Sequence, residues 1–219
     1  MKYYLDITLL PDAEANLGFL WQKVYQQVHL ALVENSFESD EVFINQDGKE
    51  EKIKKSNIAV SFPKYNDKEF PLGNKLRLFA PTEEILQQLG ITKWLNRLTD
   101  YTHCTSIRDV PSSVEQYAYF KRKQFDTNLE RLARRRAKRK NESLEQALLY
   151  YVDFKDKESK LPFINMISLS SDKDINFSQK KRFTFFIERE LVKRAVGGKF
   201  TCYGLSNRKL DGQATIPWF

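Results

Sequence analysis

Residues 2–33 read KYYLDITLLPDAEANLGFLWQKVYQQVHLALV, and a change of period within them decides the fold class. Up to Leu9 the side chains alternate as on a strand, and Pro11-Asp12 ends the run. From about Glu14 to Val33 the apolar residues recur at three and four instead: Leu17, Leu20, Trp21, Val24, Val28 and Leu32. A strand feeding an amphipathic helix makes the chain a mixed one from its first thirty residues.

The pattern continues outward. Residues 35–57 run acidic, then basic, with a short strand expected at Glu41–Asn45 and a turn at Asp47-Gly48, as in an inserted hairpin or loop. Ile58–Phe62 and Lys75–Phe79 read as strands, Thr82-Glu83-Glu84 opens a helix to about Leu89, and a short helix follows near Lys93–Leu98. The order β-α-β-β-α is that of a ferredoxin-like half. After a connector at 101–113 containing Pro111-Ser112-Ser113, a strand is expected at Glu115–Lys123 and helices at Leu129–Lys140 and Ser143–Tyr151. Further strands are expected near Phe163–Ser168, Arg182–Arg189 and Lys199–Leu205, with a turn at Gly197-Gly198 and a long polar connection at Ser170–Lys181. The expected class is therefore α+β. A ferredoxin-like domain spans 1–100, and a β-rich domain carrying an arginine-rich helix spans 101–219.

Composition narrows the function. With 16 Phe and 10 Tyr in 219 residues, there is ample material for a core. No apolar run approaches the ~20 residues of a membrane span, and MKYYLDITLL lacks a signal-peptide cleavage pattern, so no membrane partner is expected. Cys104 and Cys202 make no disulfide framework, which points to a reducing cytoplasm. Together with His29 and His103 they cannot build a four-ligand zinc cluster without carboxylates, and their spacing fits no metal motif. Neither metal nor cofactor is expected. Glycine-rich phosphate loops and nucleophile elbows are absent from the sequence.

The charge is concentrated in one place. Residues 121–140, KRKQFDTNLERLARRRAKRK, hold ten Lys/Arg against Asp126 and Glu130, a net +8 in a chain of +7, so the other 199 residues sum to about −1. Such a footprint fits a polyanion with regularly spaced charges, nucleic acid first. At about 100° per residue Arg131, Arg134, Arg135 and Lys138 share one third of the helix circumference, with Arg139 at its edge. Leu129, Leu132, Ala133 and Ala137 lie opposite, and Asp126-Thr127-Asn128 offers N-caps. The other reading is a solvated basic face. The excess of Arg over Lys favours phosphate recognition, because a guanidinium binds it bidentately.

Two histidines are available for proton transfer. His29 lies one position beyond the apolar stripe of the first helix, in line with Gln22 and Tyr25, where many helical histidines are surface residues. His103, beside Cys104 in the connector, ranks below it because sequence neighbours rarely face each other usefully. Ser168, Ser170 and Ser171 are small hydroxyls at a strand end, and Phe200–Ser206 combines a strand pattern with Gly204. Arg122 and Gln124, two apart on extended chain, share a side and match the guanine- and adenine-reading residue types.

In order and spacing these pieces resemble the CRISPR-associated endoribonuclease of subtype I-F, the Cas endonuclease family that processes precursor CRISPR RNA. The likeness is carried by Tyr4-Leu5-Asp6-Ile7, His29 in HLALV, Val60-Ser61-Phe62-Pro63 and Leu76-Arg77. It continues through Arg122-x-Gln124, Asn128-x-Glu130-Arg131-Leu132 with the arginines, Leu161-Pro162-Phe163, Phe200–Ser206 and Pro217-Trp218-Phe219.

The resemblance implies a ferredoxin-like N-terminal domain and a C-terminal domain that grips the stem-loop of CRISPR repeat RNA. Arg131, Arg134, Arg135, Lys138 and Arg139 match the helix that enters the RNA major groove. Arg122 and Gln124 match the base-reading pair, and Phe183 the aromatic that stacks on the terminal base pair. His29, Ser168 and Tyr203 match the catalytic group, with Ser170 an alternative to Ser168 for holding the ribose. The implied reaction is metal-independent attack of a 2′-hydroxyl on the adjacent phosphate, giving a 2′,3′-cyclic phosphate. His29 would be the general base, and Tyr203 would orient its imidazole.

The implied protein is a monomer when free. It then stays on the mature guide RNA (crRNA) beside other Cas subunits of a surveillance complex. A non-catalytic RNA-hairpin-binding structural subunit is the alternative, and a DNA-binding regulator rests on the basic helix alone. Three departures stand out: Lys138 where the family has Arg, a longer connection at Ser170–Lys181, and the insertion at 35–57.

Overall fold

A computed structural model describes residues 1–44, 50–125, 129–151, 160–168, 182–207 and 213–219. They form two compact units, residues 1–122 with 162–219 and residues 123–161. The mixture of helices and antiparallel sheets agrees with the α+β class.

In the larger unit β1 (Tyr3–Leu9) is a central strand. It pairs antiparallel with β5 (Lys75–Ala80) on one side and with the short β6 (Thr102–Cys104) and β7 (Arg108–Asp109) on the other. With β4 (Ala59–Ser61) on β5, the order is β4-β5-β1-β6. Helix α1 spans Leu17–Glu34. It starts three residues later than the periodicity predicts because the Asp12 carboxylate accepts from the N–H groups of Glu14 and Ala15. The Asn16 side chain then caps the first turn by accepting from Phe19 N at 3.0 Å. The expected hairpin in 35–57 is present as β2 (Phe37–Ile44) against β3 (Glu50–Ser56), and β2 is longer than the strand expected at 41–45. The predicted Asp47-Gly48 turn lies outside the described residues. Helix α2 (Glu83–Leu89) stops at Gly90, whose φ of 54° is left-handed. The short helix expected near 93–98 is split into α3 (Ile91–Trp94) and a 3₁₀ turn over Asn96–Tyr101.

A second sheet runs β12-β8-β10-β9, from Ile216–Trp218, Gln116–Lys123, Arg182–Val192 and Phe163–Ile167. Its aromatic residues join one continuous core. Trp21, Tyr25, Phe62, Phe120 and Phe185 are all fully buried, and Phe62 touches Trp21, Tyr25 and Phe120 at centroid distances of 5.5, 6.0 and 5.3 Å. The strand expected over Lys199–Leu205 is a correction. Only β11 (Phe200–Thr201) is extended, pairing with β3, and the chain then turns at Cys202–Gly204. Gly204 is the reason. Its φ is +69°, and a Cβ there would stand 2.3 Å from Val60 Cγ2, while its carbonyl accepts from Val60 N at 2.8 Å.

The smaller unit contains α4 (Leu129–Lys140) and α5 (Leu144–Leu149). Asn141, at φ 53°, ends α4, and Ser143 opens α5 with a capping box to Gln146. The two helices pack through the small residues Ala133 and Ala147, both fully buried. The cap candidates Asp126-Thr127-Asn128 lie outside the described residues, as does the whole of the polar connection at Ser170–Lys181.

Candidate active site

The helical period places Tyr25, Gln26 and His29 on one face of α1, since residues three and four apart are neighbours. Each fastens a piece of distant chain. His29 Nδ1 donates to the Cys202 carbonyl at 2.9 Å, because a carbonyl can only accept. Tyr25 Oη donates to the next carbonyl, that of Tyr203, at 2.9 Å. Gln26 Oε1 accepts from Ile167 N at 3.1 Å. The Cys202–Gly204 turn therefore offers two successive carbonyls to the helix, which an unbroken strand, with carbonyls alternating in direction, would not do.

The His29 ring lies on the Tyr203 ring, centroids 4.0 Å apart and planes within 5°. Because Nδ1 is the donor, neutral His29 carries its lone pair on Nε2, which has no hydrogen-bond partner among the described residues. Burial pushes the imidazole pKa below its ordinary value, and the Cys202 hydrogen bond only partly opposes that. A half-buried imidazole with a free Nε2 and a fixed ring plane is suited to accept a proton near neutrality.

Beside Tyr203 lies a cationic group on an aromatic bed. The Arg122 guanidinium sits 5.1, 5.2 and 5.9 Å from the ring centroids of Phe183, Phe185 and Tyr203. Phe185 packs on Tyr203 at 4.8 Å, and burial raises the Tyr203 phenol against the lowering influence of Arg122. Thus His29, Tyr203, Arg122 and Phe183 are drawn into one neighbourhood. Ser168, half-buried, immediately follows β9, whose last residue is the one held by Gln26. Ser170 lies outside the described residues.

Residues of the smaller unit are positioned as the helical period predicts. Arg134, Arg135, Lys138 and Arg139 are exposed, and Arg131 belongs to the same helix. Arg134 pairs with Glu130 one turn earlier. Arg136 differs, bound to Glu142 at 2.6 Å and lying 3.7 Å from the Tyr150 ring centroid, where it ties α4 to the chain after it. Leu129 is more exposed than its place on the apolar side predicts, and Gln124 is exposed just past β8.

His103 is exposed on β6, opposite Thr8, and takes no part in this arrangement. Among the described residues no three His, Cys, Asp or Glu side chains cluster as metal ligands, and no helix is long and apolar enough to cross a membrane. Gln26 and Tyr25 were not singled out by the sequence. A glutamine on a helix carries no signal of its partner, and Tyr25 registers only as an in-line neighbour of His29.

Residues 4–219 match the family described as CRISPR-associated protein (Cas_Csy4). The CRISPR-associated endonuclease Cas6/Csy4 of Escherichia coli (strain UTI89 / UPEC) is 32% identical over 220 residues, covering all of both chains. The protein of the same description from Pseudomonas aeruginosa (strain UCBPP-PA14) is 30% identical, again over the full length of both.

Proposed function

Because the chain belongs to the CRISPR-associated Cas_Csy4 family, we propose that it is an endoribonuclease that binds the stem-loop of CRISPR repeat RNA and cleaves precursor CRISPR RNA. The observation that carries the chemistry is His29, fixed through Nδ1 to the Cys202 carbonyl and through its face to Tyr203, with Nε2 left to take a proton. In the proposed step Nε2 removes the proton of a ribose 2′-hydroxyl, whose oxygen attacks the adjacent phosphorus. The P–O5′ bond breaks and the departing 5′-oxygen takes up a proton from water, leaving a 2′,3′-cyclic phosphate and a 5′-hydroxyl. Ser168, or Ser170, holds the ribose, and no metal takes part.

The same proposal assigns recognition to the basic segment. Arg134, Arg135, Lys138 and Arg139, with Arg131, grip the two phosphate rows of the stem. Arg122 and Gln124 read base edges and Phe183 stacks on the terminal pair. The division of labour is a ferredoxin-like domain over 1–100 and an RNA-binding domain over 101–219. The order β4-β5-β1-β6 supports the former, since with the β2–β3 hairpin set aside the chain runs β-α-β-β-α-β. After cleavage the protein stays on the guide RNA with other Cas subunits in the cytoplasm.

The test is end-group analysis of products from repeat stem-loop RNA incubated with the protein in EDTA. A 2′,3′-cyclic phosphate and a 5′-hydroxyl are expected. A 3′-hydroxyl with a 5′-phosphate, or cleavage that requires added metal, would sink the mechanism.

A further inference from the structure

Helix α1 holds Ile167 as well as the Cys202–Gly204 turn. Among the described residues β9 is the last strand of its sheet, with no strand paired to its other edge, and α1 packs against it. A buried N–H on such an edge needs an acceptor. Gln26 Oε1 supplies it to Ile167 across 141 residues of sequence.

The choice of glutamine is informative. Gln26 is only 8% exposed, on the face of α1 that also carries Tyr25 and His29, and its Nε2 finds no partner among the described residues. A buried amide satisfied on one side only is costly, and mere filling of space favours Leu or Met. The amide therefore has a task that an apolar side chain cannot perform.

We infer that Gln26 is a positioning residue for the serine end of β9. Ser168 is covalently next to Ile167, and His29 is one helical turn from Gln26. The path from ribose-holding hydroxyl to proton-accepting Nε2 thus runs through one peptide, one hydrogen bond and one turn of helix. Fixing that path sets the distance between the two groups, and a displacement of about 1 Å at a reacting centre can cost on the order of 10²-fold in rate. The inference rests on the proposed roles of His29 and Ser168 and adds to them the group that keeps the two in register.

The test uses the full-length protein and a repeat stem-loop RNA, with single-turnover cleavage at saturating protein and hairpin Kd measured side by side. Gln26→Met removes the acceptor and should lower the rate about 10- to 10²-fold with Kd unchanged. Gln26→Asn withdraws the acceptor by one methylene and carries the same expectation, so the inference is decided even where Gln26→Met does not fold. Gln26→Glu keeps an oxygen for Ile167 and should stay close to the wild-type rate. In a Ser168→Ala background, Gln26→Met should slow cleavage no further, which a general loosening of the fold would not reproduce.

Wild-type rates in both Gln26→Met and Gln26→Asn overturn the inference, as do additive losses in the double variant or a Gln26→Glu as slow as Gln26→Met. A wild-type protein that leaves the hairpin intact overturns the reading of the site instead.

Discussion

The imidazole of His29 lies flat against the phenol of Tyr203, centroids 4.0 Å apart and planes within 5°. Burial, to which the Tyr203 ring contributes, holds His29 neutral to lower pH than a solvated imidazole. The kcat/KM of cleavage should therefore rise with pH through a midpoint below about 6.5 and be flat above it. Tyr203→Ala, which opens the ring face to water, should move the midpoint up toward the ordinary value, and Tyr203→Phe should leave it in place. A midpoint unmoved in Tyr203→Ala would show that Tyr203 does not set the protonation of His29. The same depression acts on stability. The unfolded chain binds the His29 proton more tightly, so this contribution is complete above about pH 6.5 and lost as pH falls through the folded value. Urea unfolding of His29→Gln should be less pH-dependent across that window.

Tyr25 holds the turn from below. It is fully buried and its hydroxyl donates to the Tyr203 carbonyl at 2.9 Å. Tyr25→Phe keeps the ring and removes one hydrogen bond, so a loss of about 0.5–1.5 kcal/mol is expected. Cleavage should fall more than RNA binding, because the turn carries Tyr203 and the acceptor of His29. Equal losses in both would assign Tyr25 to the core alone.

Away from the site, Asp6 and Arg77 face each other across β1 and β5 and join through two hydrogen bonds of 2.6 and 3.0 Å. Arg77 also donates to the Phe219 carbonyl at 3.0 Å and lies 4.1 Å from its ring centroid. Both side chains are under 10% exposed, so Arg77→Met leaves the buried Asp6 carboxylate with only the Lys75 ammonium, 3.6 Å away. About 3–5 kcal/mol should be lost, measured as the shift in urea midpoint. Replacing both as Asp6→Leu with Arg77→Met should cost much less. A single variant as stable as wild type would contradict this account of the strand pair.

On α4 the predictions separate grip from scaffold. Alanine at Arg134, Arg135, Lys138 or Arg139 should weaken hairpin binding and reduce the slope of log K against log salt by about 1 each. Glu130→Gln releases Arg134 from its intrahelical partner and should strengthen binding at low salt. Arg136→Ala should leave the salt slope alone and lower the thermal stability of the helix pair instead, since Arg136 is engaged with Glu142 and Tyr150. A salt slope that changes with Arg136 as much as with Arg135 would refute the division.

The periodic elements were legible because their period is written in side chains. α1 and α4 follow the spacing of Leu20, Val24 and Val28 and of the arginines, and β1 follows the alternation of 2–9. The strand predicted over 199–205 was not, because the close approach of Gly204 to Val60 is set by a partner more than a hundred residues away. β12 was hidden for a related reason, since Pro217 within so short a strand reads as a breaker. At the site, His29 and Arg122 were readable as residue types, while Tyr203 and Phe183 came only from the family resemblance. What holds them was not, since the Cys202 and Tyr203 carbonyls and the Ile167 N–H are backbone groups with no sequence signature.

The central claim is that His29 takes the proton of the attacking hydroxyl. Single-turnover cleavage of repeat stem-loop RNA in EDTA, comparing wild type with His29→Ala at saturating protein, measures it directly. The account predicts a rate lower by about 10²- to 10⁴-fold in the variant, with hairpin Kd unchanged. A variant that cleaves at the wild-type rate would contradict it.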